Sequence, residues 1–421
     1  MRLLHTADWH LGRSLEGRSR RSEQEQMVDE ICALADDEDI HLVIIAGDVF
    51  DSANPPAFAE ELFYDAVDRL SADGKRGVLV IAGNHDNPER LCASAPLAVR
   101  QNVVLLGKPG DVALVSPDKN GPVADSGPGW CEYSFASGPD GALERAVVAA
   151  LPYPSQARLD EALVYSIEDE EVTRDAYSTR VGLAFEAAVK RFRSDAVNLA
   201  VSHLYVAGGA EADSERPIQV GGAYTVEAAA LPSNAQYVAL GHLHRPQGVR
   251  DVASARYAGS PLAYSFSEAG QAKSVTLVDV TPKRMNWREI HLSAGRPLVR
   301  WRAEGGLEQV EQWIDQGRDA GAWIDLELHL VSPLTPEQVQ KLRGLHPGLV
   351  SIRPVFAAQE VAASGEDDAA ETETLTHEEQ FRRFYARQHK GAEPDSQTVE
   401  LFLELLAEAF DETEETGGSD Q

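Results

Sequence analysis

The chain holds only three cysteines, Cys32, Cys92 and Cys131, among 421 residues. They are odd in number and far apart, so they suggest neither a disulfide framework nor a zinc-binding spacing. They suit a reducing compartment, expected to be the cytoplasm. No apolar run approaches the ~18 residues that a membrane-crossing helix needs. A secretion signal is not expected either, because Asp8 and His10 lie where its cleavage would remove them. Positive charge is scarce: 38 Lys and Arg against 68 Asp and Glu leave a net of −30. That is the wrong sign for a protein that simply coats nucleic acid. No P-loop pattern occurs, so the chain is not expected to hydrolyse ATP itself.

What is present is a core-forming composition, 43% hydrophobic, on a length suited to two or three domains. Five short apolar segments each end at a residue of a type suited to binding metal. Residues 2–8 (RLLHTAD) reach Asp8, with His10 two positions on. Residues 41–48 (HLVIIAGD) reach Asp48, and 77–84 (GVLVIAGN) reach Asn84. Residues 197–203 (VNLAVSH) reach His203, and 236–242 (QYVALGH) reach His242, with His244 just beyond. Runs of Val, Ile and Leu broken by glycine read as buried strands. In α/β sheets, chemistry gathers beyond the carboxyl ends of the strands.

Taken singly, each signal is weak: Asp-x-His is commonest in solvated loops, and Gly-Asp or Gly-Asn is ordinary turn chemistry. Five in one order, each after a strand, describe a site for two hard divalent cations with mixed oxygen and nitrogen ligands. Asp48, central in the sheet, is the natural bridge. Asp8, His10 and His244 then complete one ion, and Asn84, His203 and His242 the other. Two histidines at i and i+2 on extended chain face opposite ways, so the pair His242 and His244 demands a turn. His5, inside the first strand, reads instead as a buried, hydrogen-bonded histidine.

Residues 1 to about 105 read as βαβαβ, with helices over 22–36 and 56–70. Residues 106–160 read as hairpins and loops. A helix near 180–193 leads into the strand ending at His203, and 236–280 reads as β. Together these make a two-sheet α/β sandwich over 1–283. Residues 284–356 read as a small α+β unit of βαβαβ order, with Asp325, Glu327 and His329 on a solvated strand face. An acidic linker follows at 357–375, then two amphipathic helices within 376–412 and a disordered tail at 413–421. The helices, striped with Phe381, Phe384, Tyr385, Phe402, Leu403 and Leu406, have no core of their own and are expected to dock on a partner. Of the net charge, −14 lies from Glu360 onward.

The motifs HTADWHLG, GDVFDSANPP, GNHDNPERL, SHLYVAGG, YVALGHLHRPQ and RYAGSPLAYSFSE resemble the calcineurin-like metallophosphoesterase superfamily, and within it the SbcD family of nuclease subunits. The resemblance covers most of residues 1–280. It implies a two-sheet metallophosphoesterase sandwich flanked by helices, with the 284–356 unit as a capping domain. It also implies a manganese pair, with magnesium as the alternative, for in-line hydrolysis of DNA phosphodiesters. By position, His85 would donate a proton to the leaving sugar oxygen or stabilise the transition state, and Asp51 would orient His85 through its carboxylate. Arg13, Arg18, Arg20 and Arg21 follow the first motif on a loop near the site, where contact with DNA phosphates and a merely solvated loop are equally open readings. The helices near 56–70 and 87–100 would form a homodimer, and the C-terminal helices would bind an SbcC-type ATPase, which supplies ATP hydrolysis. The activities implied are ATP-dependent double-strand exonuclease and single-strand or hairpin endonuclease, serving DNA repair and recombination. Two rivals compete: an esterase acting on small phosphoesters or cyclic nucleotides with the same metal core, and a non-catalytic scaffold, which predicts a lost ligand where none is missing.

Overall fold

The computed structural model describes residues 1–116, 121–137, 142–163, 173–215 and 224–356, with 381, 382, 385, 394, 398 and 399. The chain divides into two compact units, Met1–Leu328 with Thr335–Arg353, and His329–Leu334 with Pro354–Gln421.

In the first unit, β1 (Arg2–Thr6), α1 (Arg21–Asp37), β2 (Leu42–Ala46), α2 (Ala57–Ser71) and β3 (Gly77–Ile81) alternate as their hydrophobic periods predict. The expected helix at 87–100 is broken into α3 (Pro88–Cys92), α4 (Ala95–Ala98) and a final turn of 3-10 helix, with a proline in the first turn of each α segment. The strand β4 (Val103–Leu106) follows. The stretch expected to hold hairpins forms β5 (Val123–Gly127), β6 (Trp130–Ser137) and β7 (Ala142–Leu151), then α5 (Gln156–Leu163). The next helix, α6 (Thr173–Ala188), begins earlier than expected and leads to β8 (Val197–His203). Then come β9 (Tyr237–Gly241), β10 (Gln247–Val249), β11 (Val252–Tyr257), β12 (Ser274–Thr281) and β13 (Arg284–His291).

Two sheets result, ordered β13-β12-β1-β2-β3-β4 and β10-β11-β9-β8-β7-β6-β5. Their facing sides share one core: Leu3, Leu42, Ile44, Leu79 and Ile81 meet Tyr133, Val148, Leu199, Val201 and Tyr237. Alternate residues Val43, Ile45, Val78 and Val80 pack outward on Met27, Ile31, Phe63 and Leu70 of α1 and α2. On the second sheet, Ala200, Val238 and Leu240 pack on Tyr177, Val181 and Phe185 of α6. Helix, sheet, sheet and helix are therefore stacked in four layers, which is why the central strands are apolar on both faces.

The boundary at 284 needs correction. Residues Arg284–His291 pair antiparallel with Ser274–Thr281 across a two-residue turn, Pro282–Lys283, so β13 is the edge strand of the first sheet. The polar turn that read as a domain break is a hairpin. The small unit starts instead at β14 (Leu298–Ala303), followed by α7 (Gly306–Asp315), β15 (Trp323–Leu330), α8 (Pro336–Leu345) and β16 (Leu349–Phe356), with sheet order β14-β15-β16. Thr335 caps α8 through a reciprocal capping box with Gln338. Asp325, expected on a solvated face, is buried and takes both oxygens to Arg353 at 3.0 and 2.8 Å; His329 is half-buried.

In the second unit, Phe381 and Tyr385 are helical and their rings lie 6.0 Å apart, one turn along a shared stripe. Phe384, Phe402, Leu403 and Leu406, the 357–375 linker and the 413–421 tail lie outside the described residues. No helix among the described residues is long and apolar enough to cross a membrane.

Candidate metal centre

The carboxyl ends of β1, β2, β3, β8 and β9 converge, and the turns that follow them carry the chemistry. Beyond β1 and β2 the chains stay side by side: Asp8 N–H donates to Gly47 O at 3.0 Å, and His10 N–H to Asp48 O at 3.0 Å. Asp8, His10, Asp48 and His242 all adopt left-handed backbone, with φ of 56°, 44°, 50° and 109°. Such conformations cost about 1–3 kcal/mol each and survive only where surrounding structure enforces them. The turn demanded between His242 and His244 is thus made at His242 itself. Two glycines admit the crowding: a Cβ on Gly83 would strike Asp48 Oδ1, and one on Gly47 would strike His203 Nδ1.

Asp48 Oδ2 sits at the middle of the cluster. It lies 3.5 Å from His203 Nε2, 3.7 Å from His10 Nε2 and 3.9 Å from His85 Nε2. Asp48 Oδ1 accepts the His85 N–H at 2.9 Å. Asp8, His10 and His244 form one compact donor group, and Asp8, Asp48 and His203 another. His10 Nε2 and His244 Nε2 are 3.0 Å apart. His203 gives its Nδ1–H to Ala46 O at 2.9 Å and turns Nε2 to Asn84 Oδ1 at 2.8 Å. The His242 ring stands edge-on to His203 at 5.5 Å, and its backbone N–H donates to Asp8 at 3.0 Å. All of these are buried except Asn84, which is half-buried.

The electrostatics suit cations. Burial pulls His10, His242 and His244 below the ordinary imidazole range, keeping them neutral with a lone pair to offer. Burial also lowers His203, but the carboxylates of Asp48 and Asp8 outweigh it and hold this ring up, to about 9. Burial pushes Asp8 well above the usual carboxyl range against the pull of His203. Asp48 feels the same penalty, yet the imidazoles of His203, His85 and His10 hold it well below that range. The buried His10 Nδ1 has no hydrogen-bond partner. Neutral imidazoles, an amide oxygen and two buried carboxylates within ligand-to-ligand distances fit a pair of divalent cations.

Residues without an assigned role brace these loops. Asp86 accepts N–H groups of Gly83, Val49 and Phe50 at 2.8, 3.1 and 2.9 Å, lacing the Asn84 turn to the Asp48 turn. Burial and the Asp48 charge raise it to about 6. Gln24 of α1 holds the first loop through His10 O at 3.2 Å and Gly12 N at 3.1 Å. Glu268 accepts from Ser214, 2.6 Å away, and pairs with Lys273. Burial raises its carboxyl, but the His244 ring and Lys273 outweigh that and hold it well below the ordinary range. Glu268 was legible in part, since Ser265-Phe-Ser-Glu268 spells the capping box that the structure forms. Ser214 left no sequence signal.

Two expectations change. The His85 ring is oriented by the backbone carbonyl of Asp51, Nδ1–H donating at 2.7 Å, and not by the Asp51 carboxylate. That carboxylate lies 3.5 Å from Arg13 and 3.7 Å from His10 Nδ1. Arg20 is no phosphate contact. It is buried, bonds both Glu23 oxygens at 3.0 and 2.7 Å, and donates to Ala263 O. Glu23 in turn takes Trp323 Nε1 at 2.9 Å and the Arg296 N–H at 2.7 Å, so Arg20 sits under the joint with the small unit. Arg13 is half-buried beside the site, while Arg18 and Arg21 are exposed, Arg21 pairing with Glu25 at 2.8 Å.

Residues 1–246 match the calcineurin-like phosphoesterase family, and residues 294–389 match the type 5 capsule protein repressor C-terminal domain. The chain is similar to the D subunit of the nuclease SbcCD from Bacillus subtilis (strain 168), 49% identical over 409 residues that span 97% of this chain and 98% of that protein. The protein of the same name from Rhodobacter capsulatus is 33% identical across 80% of this chain and 82% of its own. That of Escherichia coli (strain K12) is 29% identical across 78% of each.

Proposed function

Since the chain belongs to the SbcD family of calcineurin-like phosphoesterases, we propose that it is a metal-dependent DNA nuclease working with an SbcC-type ATPase in DNA repair and recombination. The observation that carries this reading is the central place of Asp48 Oδ2 among His203, His10 and His85. Asp8, His10 and His244 would hold one divalent cation, Asn84, His203 and His242 the other, with Asp48 shared; manganese is the expected metal and magnesium the alternative. When bound, the pair polarises the phosphodiester and activates water for in-line displacement.

The protein's own contribution is orientation and proton control. Asp51 O fixes the His85 ring with Nε2 turned to the site, where it passes a proton to the leaving sugar oxygen or steadies charge on it. Asp51 thus acts through its carbonyl. Arg13, with Arg300 and Arg353, lines a groove beside the site and is suited to DNA phosphates. Arg18 and Arg21 are exposed for the same purpose. The activities are ATP-dependent double-strand exonuclease and single-strand or hairpin endonuclease in the cytoplasm. ATP is hydrolysed by the partner, which the C-terminal segment containing Phe381, Phe384, Tyr385, Phe402, Leu403 and Leu406 binds. An apolar groove lined by Tyr64, Val67, Leu97 and Ala98 supports a homodimer through the 56–70 and 87–100 segments.

The test is a manganese-dependent assay on duplex and hairpin DNA, with and without an SbcC-type ATPase, beside a small phosphodiester. Cleavage of DNA is expected. Turnover of the small ester alone would select the esterase reading, and partner binding without turnover of either would select the scaffold.

A further inference from the structure

His244 reaches the cluster through Nε2, so its other ring nitrogen decides whether Nε2 carries a lone pair or a proton. Its Nδ1 lies 2.7 Å from Ser214 Oγ, and Ser214 Oγ lies 2.6 Å from Glu268 Oε1. Both Ser214 and Glu268 are buried. Glu268 Oε1 also accepts the N–H groups of Tyr264 and Ser265 at 3.0 and 3.1 Å, and its other oxygen takes Lys273. Surrounded by donors, this carboxylate only accepts. The single hydroxyl hydrogen of Ser214 therefore goes to Glu268, and towards His244 the oxygen is left as an acceptor. Nδ1 must then be the protonated nitrogen, and the lone pair falls on Nε2, facing His10.

The same short loop holds His244 from its backbone side. Glu215 accepts the His244 N–H at 2.6 Å, and the Ser214 carbonyl accepts from Arg13 at 2.9 Å. We propose that Ser214 is the positioning residue of His244, a hydroxyl relay from Glu268 that fixes the imidazole tautomer and delivers Nε2 to the cation shared with Asp8 and His10. This rests on the two-cation reading above. The Ser214 hydroxyl is buried between His244 and Glu268, so it reaches the cation through His244.

The experiment is manganese titration of the full chain by calorimetry and electron paramagnetic resonance, for wild type, Ser214→Ala and Ser214→Thr. Wild type is expected to bind two ions. Ser214→Ala should lose roughly 10–100-fold in affinity for one of them, as removed outer partners of metal-bound histidines do. It should leave the other ion and the metal-free melting temperature unchanged. Ser214→Thr, which keeps the hydroxyl, should recover the loss. Wild-type affinity for both ions in Ser214→Ala, or no recovery by Ser214→Thr, overturns the role. Wild type binding fewer than two ions overturns the two-cation reading and this inference with it. A readout free of substitution is the ring nitrogen-15 shift of His244 in the wild type: protonated Nδ1 is expected, and protonated Nε2 refutes the relay.

Discussion

The Nε2 atoms of His10 and His244 lie 3.0 Å apart although 234 residues separate them. Both rings are buried, and burial disfavours the charged, doubly protonated form of either. Two neutral imidazoles turned tip to tip, with Asp8 alongside, make an arrangement that a shared cation stabilises. Its consequences for catalysis, pH, stability and assembly can be measured.

His85→Ala should lower DNA cleavage by about 10²–10⁴-fold, the usual worth of a positioned proton donor. Manganese binding should be largely retained, because His85 is not among the proposed ligands. Single-turnover cleavage and manganese titration of the same preparation check both halves. Full activity in the variant would remove His85 from the mechanism.

Metal affinity should rise with pH. His203, held up to about 9 by Asp48 and Asp8, carries a proton at pH 7 and must release it to give Nε2 to a cation. Below about pH 9, affinity should climb by up to about tenfold per pH unit from this group. Calorimetry in buffers of different ionisation heats should show proton release at pH 7 that fades above pH 9. Release that does not depend on pH would contradict the assignment.

Acid should destabilise the fold partly through His5. Its ring is buried against Tyr237 OH at 2.8 Å, and burial, with the Arg256 charge, lowers it to about 3. The unfolded chain protonates this ring near its ordinary 6.5, so between those values the unfolded state binds more protons. The stability contribution is complete above about pH 6.5 and shrinks by up to ~1.4 kcal/mol per unit as pH falls toward 3. Urea titrations of metal-free protein at pH 7 and pH 5 should show a smaller drop for His5→Gln than for wild type.

Arg20→Ala should destabilise the protein by about 3–5 kcal/mol, because Glu23 is left buried without its partner. Arg18→Ala and Arg21→Ala should leave unfolding unchanged and flatten the salt dependence of DNA binding. Thermal melts and fluorescence anisotropy at several salt concentrations separate the two classes. A stable Arg20→Ala that binds DNA weakly would restore the phosphate-contact role.

Leu97, 71% exposed at the lip of the groove beside α2, should be an anchor of the proposed homodimer. Leu97→Asp should yield monomer by sedimentation at concentrations where wild type is dimeric. Unchanged sedimentation would place the dimer contact elsewhere.

The positions Asp8, Asp48, Asn84, His203 and His242 were legible because a buried strand announces itself by apolar period, and the residue after its end points where neighbouring ends also point. His10 and His244 followed from their distance to those ends, and the two helices 22–36 and 56–70 from their striping. These are local patterns, each written within one strand or helix. Tertiary structure decided what depended on a distant partner. Arg20 read as a loop cation until Glu23 and Ala263 O enclosed it, and Asp51 read as a carboxylate where its carbonyl is what His85 uses. The 284–291 strand read as a new domain although its hydrogen bonds close the first sheet. Ser214 was invisible, since a lone serine acquires meaning only when His244 and Glu268, 30 and 54 residues further on, fold to either side of its hydroxyl. Backbone periodicity and hydrophobic burial are carried by neighbours in sequence, whereas ion pairing and proton direction depend on which groups share the same few ångströms of low-dielectric space.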